Sequence, residues 1–143
     1  MVTPFHLAIQ VRDIDEAREF YGIKMGLPEG RSAETWIDFN LFGHQLVTHL
    51  NPSLGPEGSV KQHCNPVDGH EVPVPHFGVI LEIDDWQMLA EKTRTFVDQY
   101  IIEPYTRFEG QPGEQRTMFF EDPSGNALEF KAFADIEGQL FAK

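Results

Sequence analysis

A chain of 143 residues holds one domain or two small modules sharing a core, and at 41% hydrophobic with 12 Phe it can fill that core. A net charge of −12, from 11 Lys and Arg against 23 Asp and Glu, excludes nucleic-acid binding, and with no basic run anionic membranes are set aside too. The single cysteine, Cys64, excludes a disulfide framework; no run approaches a membrane span, and "MVTPFHLAIQV" lacks a secretory pattern, so a cytoplasmic protein is expected.

In chain order, "FHLAIQV" predicts a strand, and Asp13 with Glu16 three residues later forms a capping-box-like helix start. Ile14, Ala17, Phe20 and Tyr21 then follow helical spacing, and Gly26 predicts the stop. Three strand-like runs come next, "EGRSAE", "TWIDFNLF" and "HQLVTHL", with Gly43 at a tight turn. Residues 51–75 are rich in Pro, Gly and polar side chains and are read as a linker that also covers a site. From His76, "HFGVILEIDDWQMLAEKTRTFV" repeats the opening pattern: a histidine, a short apolar strand, an acidic cap at Asp84 or Asp85, and a helix. The helix carries the stripe Trp86, Leu89, Ala90, Thr93 and Phe96, and three more strands follow, "IEPYTRF", "RTMFFED" and "ALEFKAF". The fold class is therefore α+β, with strand–helix–three-strand modules at 3–50 and 76–133, a linker at 51–75 and a tail at 134–143, all in one domain.

The last strand places a carboxylate among apolar neighbours. Alternation sets Leu128, Phe130 and Ala132 on one face and Ala127, Glu129, Lys131 and Phe133 on the other. A buried charge is costly unless something cationic meets it. His6 and His76 open the two repeats at matching positions, and a pseudo-twofold relation between the modules predicts that both converge on Glu129. Two imidazoles and one carboxylate leave coordination positions open on a metal, which suits catalysis rather than a closed structural site. On "PYTRFEGQPGEQR", Arg107 is the candidate to grip a carboxylate on a ligand, while Trp36 and Phe39 are candidates to line the pocket. His63 and His70 are read as solvated, and Cys64, without an activating neighbour beyond His63, is a poor nucleophile. The acidic charge and aromatic content also suit an aromatic cationic ligand, and exposed sheet edges favour a homodimer.

These residues resemble the vicinal oxygen chelate superfamily, the glyoxalase, bleomycin resistance and extradiol dioxygenase family, over roughly residues 3–133. "FFEDPSGNALEF" is similar to the family's closing D-P-x-G-x-x-x-E strand, and "FHLAIQVRDIDEAREFYGIKMGL" to its opening module. The resemblance implies two βαβββ modules forming a cup-shaped mixed sheet, with His6, His76 and Glu129 holding one divalent metal ion. Fe(II) is favoured, with Mn, Ni or Zn as alternatives. Glyoxalase-type members draw a fourth ligand from the last strand of the first module, here "GHQLVTHL". That implies His49 as fourth ligand or general acid–base, and His44 or Gln45 in the second role. The chain is most similar to a bacterial group described as extradiol-dioxygenase-like, whose closing signature has a Tyr ten residues before the ligand Glu. Here that position is Phe119, a candidate pocket wall, and Tyr105 is the candidate replacement phenol. The implied function is a metal-dependent enzyme that chelates a small-molecule substrate through oxygen atoms, dioxygenase-like. The alternatives are a glyoxalase-like lyase or isomerase, or a non-catalytic binder of bleomycin-type drugs.

Overall fold

The computed structural model describes residues 2–143, and the chain folds as two compact units. The first comprises residues up to Gln62 together with Asp122–Asn126, and the second His63–Glu121 together with Ala127–Lys143.

In the first unit, β1 (His6–Val11) is followed by α1 (Ile14–Ala17), then β2 (Glu29–Ala33), β3 (Trp36–Leu41) and β4 (His44–Leu50). The sheet order is β1-β4-β3-β2, with β1 parallel to β4 and the other pairs antiparallel. Asp13 caps α1 as expected, accepting the Glu16 amide at 2.7 Å. The helix then widens into a π-helical stretch, Arg18–Lys24, whose end is marked by the Met25 amide bonding back five residues to the Phe20 carbonyl. Gly26 follows at φ 75°, the left-handed stop that the sequence predicts. Alternation in β3 and β4 turns Ile37, Phe39, Leu41, Leu46 and Thr48 into the core. Phe39 packs against Tyr21 at a ring separation of 5.7 Å, on the opposite face of β3 from Trp36, because the two lie an odd number of residues apart.

The turn Asp122–Asn126 is fixed by a buried carboxylate. Asp122 Oδ1 accepts the Ser124 and Asn126 amides, each at 2.9 Å, while Oδ2 accepts the Tyr21 hydroxyl at 2.6 Å and Asn126 Nδ2 at 2.9 Å. Four donors on one carboxylate meet the demand that buried polar groups be paired. Burial still raises the Asp122 carboxyl above its usual value, against the pull of these hydrogen bonds. The Tyr21 hydroxyl is raised well above its usual value by burial first and by the adjoining Asp122 second.

In the second unit the segment expected as a linker contains a hairpin, β5 (His63–Val67) and β6 (His70–Val74). Val72 anchors it, packed with Phe119 and Ala127 in a small buried cluster. The strand expected from "HFGVILE" is split into β7 (His76–Phe77) and β8 (Ile80–Leu81). The break falls at Gly78, where an added Cβ would stand 1.6 Å from the Glu129 carbonyl oxygen, so no other residue fits this close approach. Both short strands run parallel to β11 (Ala127–Phe133), which pairs with β10 (Gln115–Glu121), which pairs with β9 (Ile102–Arg107).

The helix α2 (Ile83–Thr93) begins earlier than expected, with Glu82 at the N-cap and no side-chain cap bond. Asp84 and Asp85 fall inside the first turn instead, where carboxylates stabilise the positive end of the helix dipole. Its stripe Trp86, Leu89, Ala90 and Thr93 is buried, and Trp86 Nε1 donates to the Phe130 carbonyl at 2.9 Å. Phe130 lies with Leu128 and Ala132 on the buried face of β11, as alternation predicts. A short helix, α3 (Ile136–Gln139), follows β11. Among the described residues no helix is long and apolar enough to cross a membrane.

Candidate functional site

The face of the second sheet away from α2 is where the chemistry collects. β11 sends Glu129 and Lys131 to this face, and pairing sets Phe119 opposite Glu129 and Thr117 opposite Lys131. Across β10, Tyr105 stands opposite Thr117 and Arg107 opposite Gln115. With the hairpin residues Asp68, His70 and Val72, these side chains line a cavity of about 210 Å³ that also takes in His76 and Glu129.

Glu129 has three neighbours there. Thr117 Oγ1 donates to its Oε2 at 2.9 Å, His76 Nε2 lies 3.5 Å from its Oε1, and Lys131 Nζ lies 3.9 Å from the same oxygen. His76 is oriented from behind: its Nδ1 is 2.7 Å from the Pro73 carbonyl on β6, and a carbonyl only accepts, so Nδ1 carries the proton. Phe119 packs edge-on against the imidazole at 4.8 Å. In the neutral ring, Nε2 therefore aims a lone pair at a carboxylate oxygen. Two acceptors 3.5 Å apart are reconciled either by a proton on Nε2, which makes an ion pair, or by a metal ion between them. Ligand bonds of about 2.0–2.2 Å to N and O give donor–donor separations of roughly 3–3.5 Å, so the pair has the bite of two ligands on one ion. The carbonyl behind Nδ1 is the outer support that metal-bound imidazoles typically have. The donor set fits a divalent metal. It is not a complete cage: among the described residues no three His, Cys, Asp or Glu side chains gather closely enough to hold one.

A family model for the glyoxalase/bleomycin resistance protein/dioxygenase superfamily matches residues 3–130. The chain belongs to this superfamily. A glyoxalase/bleomycin resistance protein/dioxygenase from Alicyclobacillus acidocaldarius is 33% identical, with 94% of each chain covered and a TM-score of 0.69. The same fold is seen in the genomically encoded fosfomycin resistance protein FosX from Listeria monocytogenes, at 16% identity, TM-score 0.64, and coverage of 92% of this chain and 94% of that one. It is seen again in lactoylglutathione lyase from Agrobacterium tumefaciens, at 18% identity, TM-score 0.56, and coverage of 99% and 97%. No curated protein matches the chain.

Of the residues singled out in the sequence of this superfamily member, His76, Glu129, Phe119, Tyr105 and Arg107 meet at the second unit's cavity. His6, Trp36, Phe39, His44, Gln45 and His49 belong to the first unit. His6 Nδ1 lies 2.6 Å from Gln45 Oε1, and Gln45 Nε2 donates to Asp38 at 3.3 Å. His44 accepts the Phe5 amide at 2.9 Å. Exposed His49 stands opposite Trp36, whose ring lies 5.4 Å beneath the Arg31 guanidinium. The registers also show what the first module lacks. His6 pairs with Gln45 as His76 pairs with Ala127, so two residues further on Val47 occupies the place that Glu129 holds in the second module. Val47 is buried and apolar, and His49 stands one step beyond it.

Thr117 and Lys131 carry no expected role, yet both touch Glu129. Their signal was alternation: Lys131 is two residues from Glu129, and Thr117 two from Phe119. The cavity wall made by His70 and Asp68 was hidden because "HCNPVDGHEV" carries Pro and Gly in place of strand alternation.

Proposed function

We propose that the chain is a metal-dependent enzyme of the vicinal oxygen chelate type, dioxygenase-like in reaction, acting on a small molecule. The observation that carries this reading is the His76–Glu129 pair, two acceptors 3.5 Å apart with the imidazole fixed from behind by Pro73. His76 and Glu129 would hold the ion. The metal, Fe(II) first among the divalent candidates, supplies Lewis-acid stabilisation of negative charge on two adjacent substrate oxygens. Thr117 fixes the Glu129 rotamer by engaging Oε2 and so leaves Oε1 for the ion. Phe119 packs edge-on against the imidazole and helps hold its ring plane, and the Tyr105 phenol is the group on the cavity wall suited to hold or move a substrate proton.

Lyase or isomerase chemistry of the glyoxalase kind is less well supported, because Val47 replaces the second carboxylate that such a proton shuttle would draw from the first module. Sequestration of a large glycopeptide drug at this site is likewise less well supported, because its cavity of about 210 Å³ is below the roughly 300 Å³ at which drug-sized sites begin.

Metal analysis of wild type and Glu129→Gln, each purified without tag or chelator, tests the reading. Near-stoichiometric iron is expected in wild type and none in the variant, whose circular dichroism and melting should stay close to wild type. Equal metal content in the two proteins would remove Glu129 from the site. With iron restored anaerobically, oxygen uptake on addition of catechols tests the reaction itself. Thr117→Val should weaken metal binding about 10–100-fold, the range seen for outer supports of ligands, and Thr117→Ser should restore it. A metal titration that cannot tell the Thr117→Val protein from wild type would make the hydroxyl merely structural.

A further inference from the structure

We propose that the second unit's cavity takes a small organic carboxylate with a compact apolar body, its carboxylate held by Lys131 and Arg107. This deepens the reading above at the same site and rests on it only for the metal-bound state.

The charge distribution points to it. The chain carries 23 acidic against 11 basic side chains, yet the cavity face sets Arg107 and Lys131 against Asp68 and Glu129 in equal number, with His70 and His76 beside them. Arg116 also borders the cavity but sends its guanidinium to the other face, 5.8 Å over the Trp86 ring and donating to Gln87 at 3.0 Å. Both remaining cations are loosely engaged. Lys131 Nζ is 3.9 Å from Glu129, beyond hydrogen-bond distance, and Arg107 makes one long contact with the exposed Asp68, at 3.4 Å, with its guanidinium 5.3 Å over the Phe108 ring. Pairs this long contribute little, and an ammonium with three donors and a guanidinium with five keep most of their capacity for a ligand. A divalent ion on Glu129 would cancel the charge that now attracts Lys131 and leave the lining positive.

The register gives the ligand its layout. Glu129 with Phe119 forms one row across the sheet, Lys131 with Thr117 and Tyr105 the next, and Gln115 with Arg107 the one after. Rows two residues apart are roughly 7 Å apart, so the cations lie one and two rows from the metal end. Phe119, Ile102 and Val72 supply the apolar wall for a compact body. Asp68 and Glu129 on the same wall would repel a dianion, which favours a carboxylate over a phosphate or phosphonate.

The test is an NMR titration of chelator-treated, full-length protein with phenylacetate, phenylacetamide and phenylphosphonate, followed at the Thr117 and Phe119 amides. Saturable shifts are expected with phenylacetate and none with the amide. Lys131→Met and Arg107→Met should each weaken phenylacetate by at least about tenfold, the scale of a hydrogen bond to a charged group. Glu129→Gln should bind it at least as well as wild type, since the nearest repelling charge is gone. Equal binding of the amide, unchanged affinity in both Met variants, or preference for phenylphosphonate would overturn the proposal. Protein that binds phenylacetate but no divalent ion would sink the metal reading and leave the carboxylate site standing, and the converse would sink only the latter.

Discussion

Asp122→Ala is expected to cost about 3–5 kcal/mol of folding stability, a large share of the roughly 5–15 kcal/mol that holds a domain together. The substitution strands the fully buried Tyr21 hydroxyl and removes the acceptor shared by the Ser124 and Asn126 amides and Asn126 Nδ2. Tyr21→Phe removes one donor and leaves the other three in place, so its cost should be nearer 1 kcal/mol, on the order of a single hydrogen bond. Denaturant melts of the two variants at neutral pH would show the order, and a mild Asp122→Ala would mean the turn is held by other contacts. The pH dependence follows from the two raised groups. Each prefers its proton in the fold, so each contributes stability that is complete below its unfolded value and fades as pH rises towards its folded one. For Asp122 the fading begins as pH rises past 3.8, and for Tyr21 above 10.0. Wild type should therefore lose stability in strong alkali more steeply than Tyr21→Phe, which lacks the titrating hydroxyl.

How legible was this arrangement in the sequence? The faces of β11 were, because a period of two cannot hide: Leu128, Phe130 and Ala132 are all buried beside a half-buried Glu129 and Lys131. The capping of α1 by Asp13 was equally local, a matter of one carboxylate and one amide three residues on. What escaped was whatever depends on register between strands distant in sequence. Thr117 reaches Glu129 only because β10 and β11 pair with Thr117 opposite Lys131, and no pattern within "QRTMFFE" announces it. The hairpin at 63–74 escaped for a different reason. Its stability comes from Val72 packing on Phe119 and Ala127, contacts made long after a segment rich in Pro and Gly has been read as a loop. The buried role of Asp122 was hidden likewise, because Asp before Pro reads as an exposed turn until Tyr21, 101 residues away, is placed upon it.

Gly78→Ala should damage both the fold and the metal site, and comparison of the two effects separates them. A methyl at residue 78 would lie 1.6 Å from the Glu129 carbonyl oxygen and 2.6 Å from its carbon, distances that backbone cannot tolerate, so β7 must part from β11. Overpacking of this kind costs about 3 kcal/mol. Because β7 carries His76 and β11 carries Glu129, the same movement opens the 3.5 Å gap between Nε2 and Oε1, and metal affinity should fall by at least about tenfold. Gly22→Ala is the matched control: its methyl would meet nothing nearer than 3.4 Å, on the Phe39 ring, and the change should be close to neutral. If Gly78→Ala melts early yet binds metal as wild type does, the close approach serves the sheet alone. If affinity falls even under conditions where the variant is fully folded, the break between β7 and β8 is what sets the imidazole against the carboxylate, and the interruption of "HFGVILE" is a feature of the site.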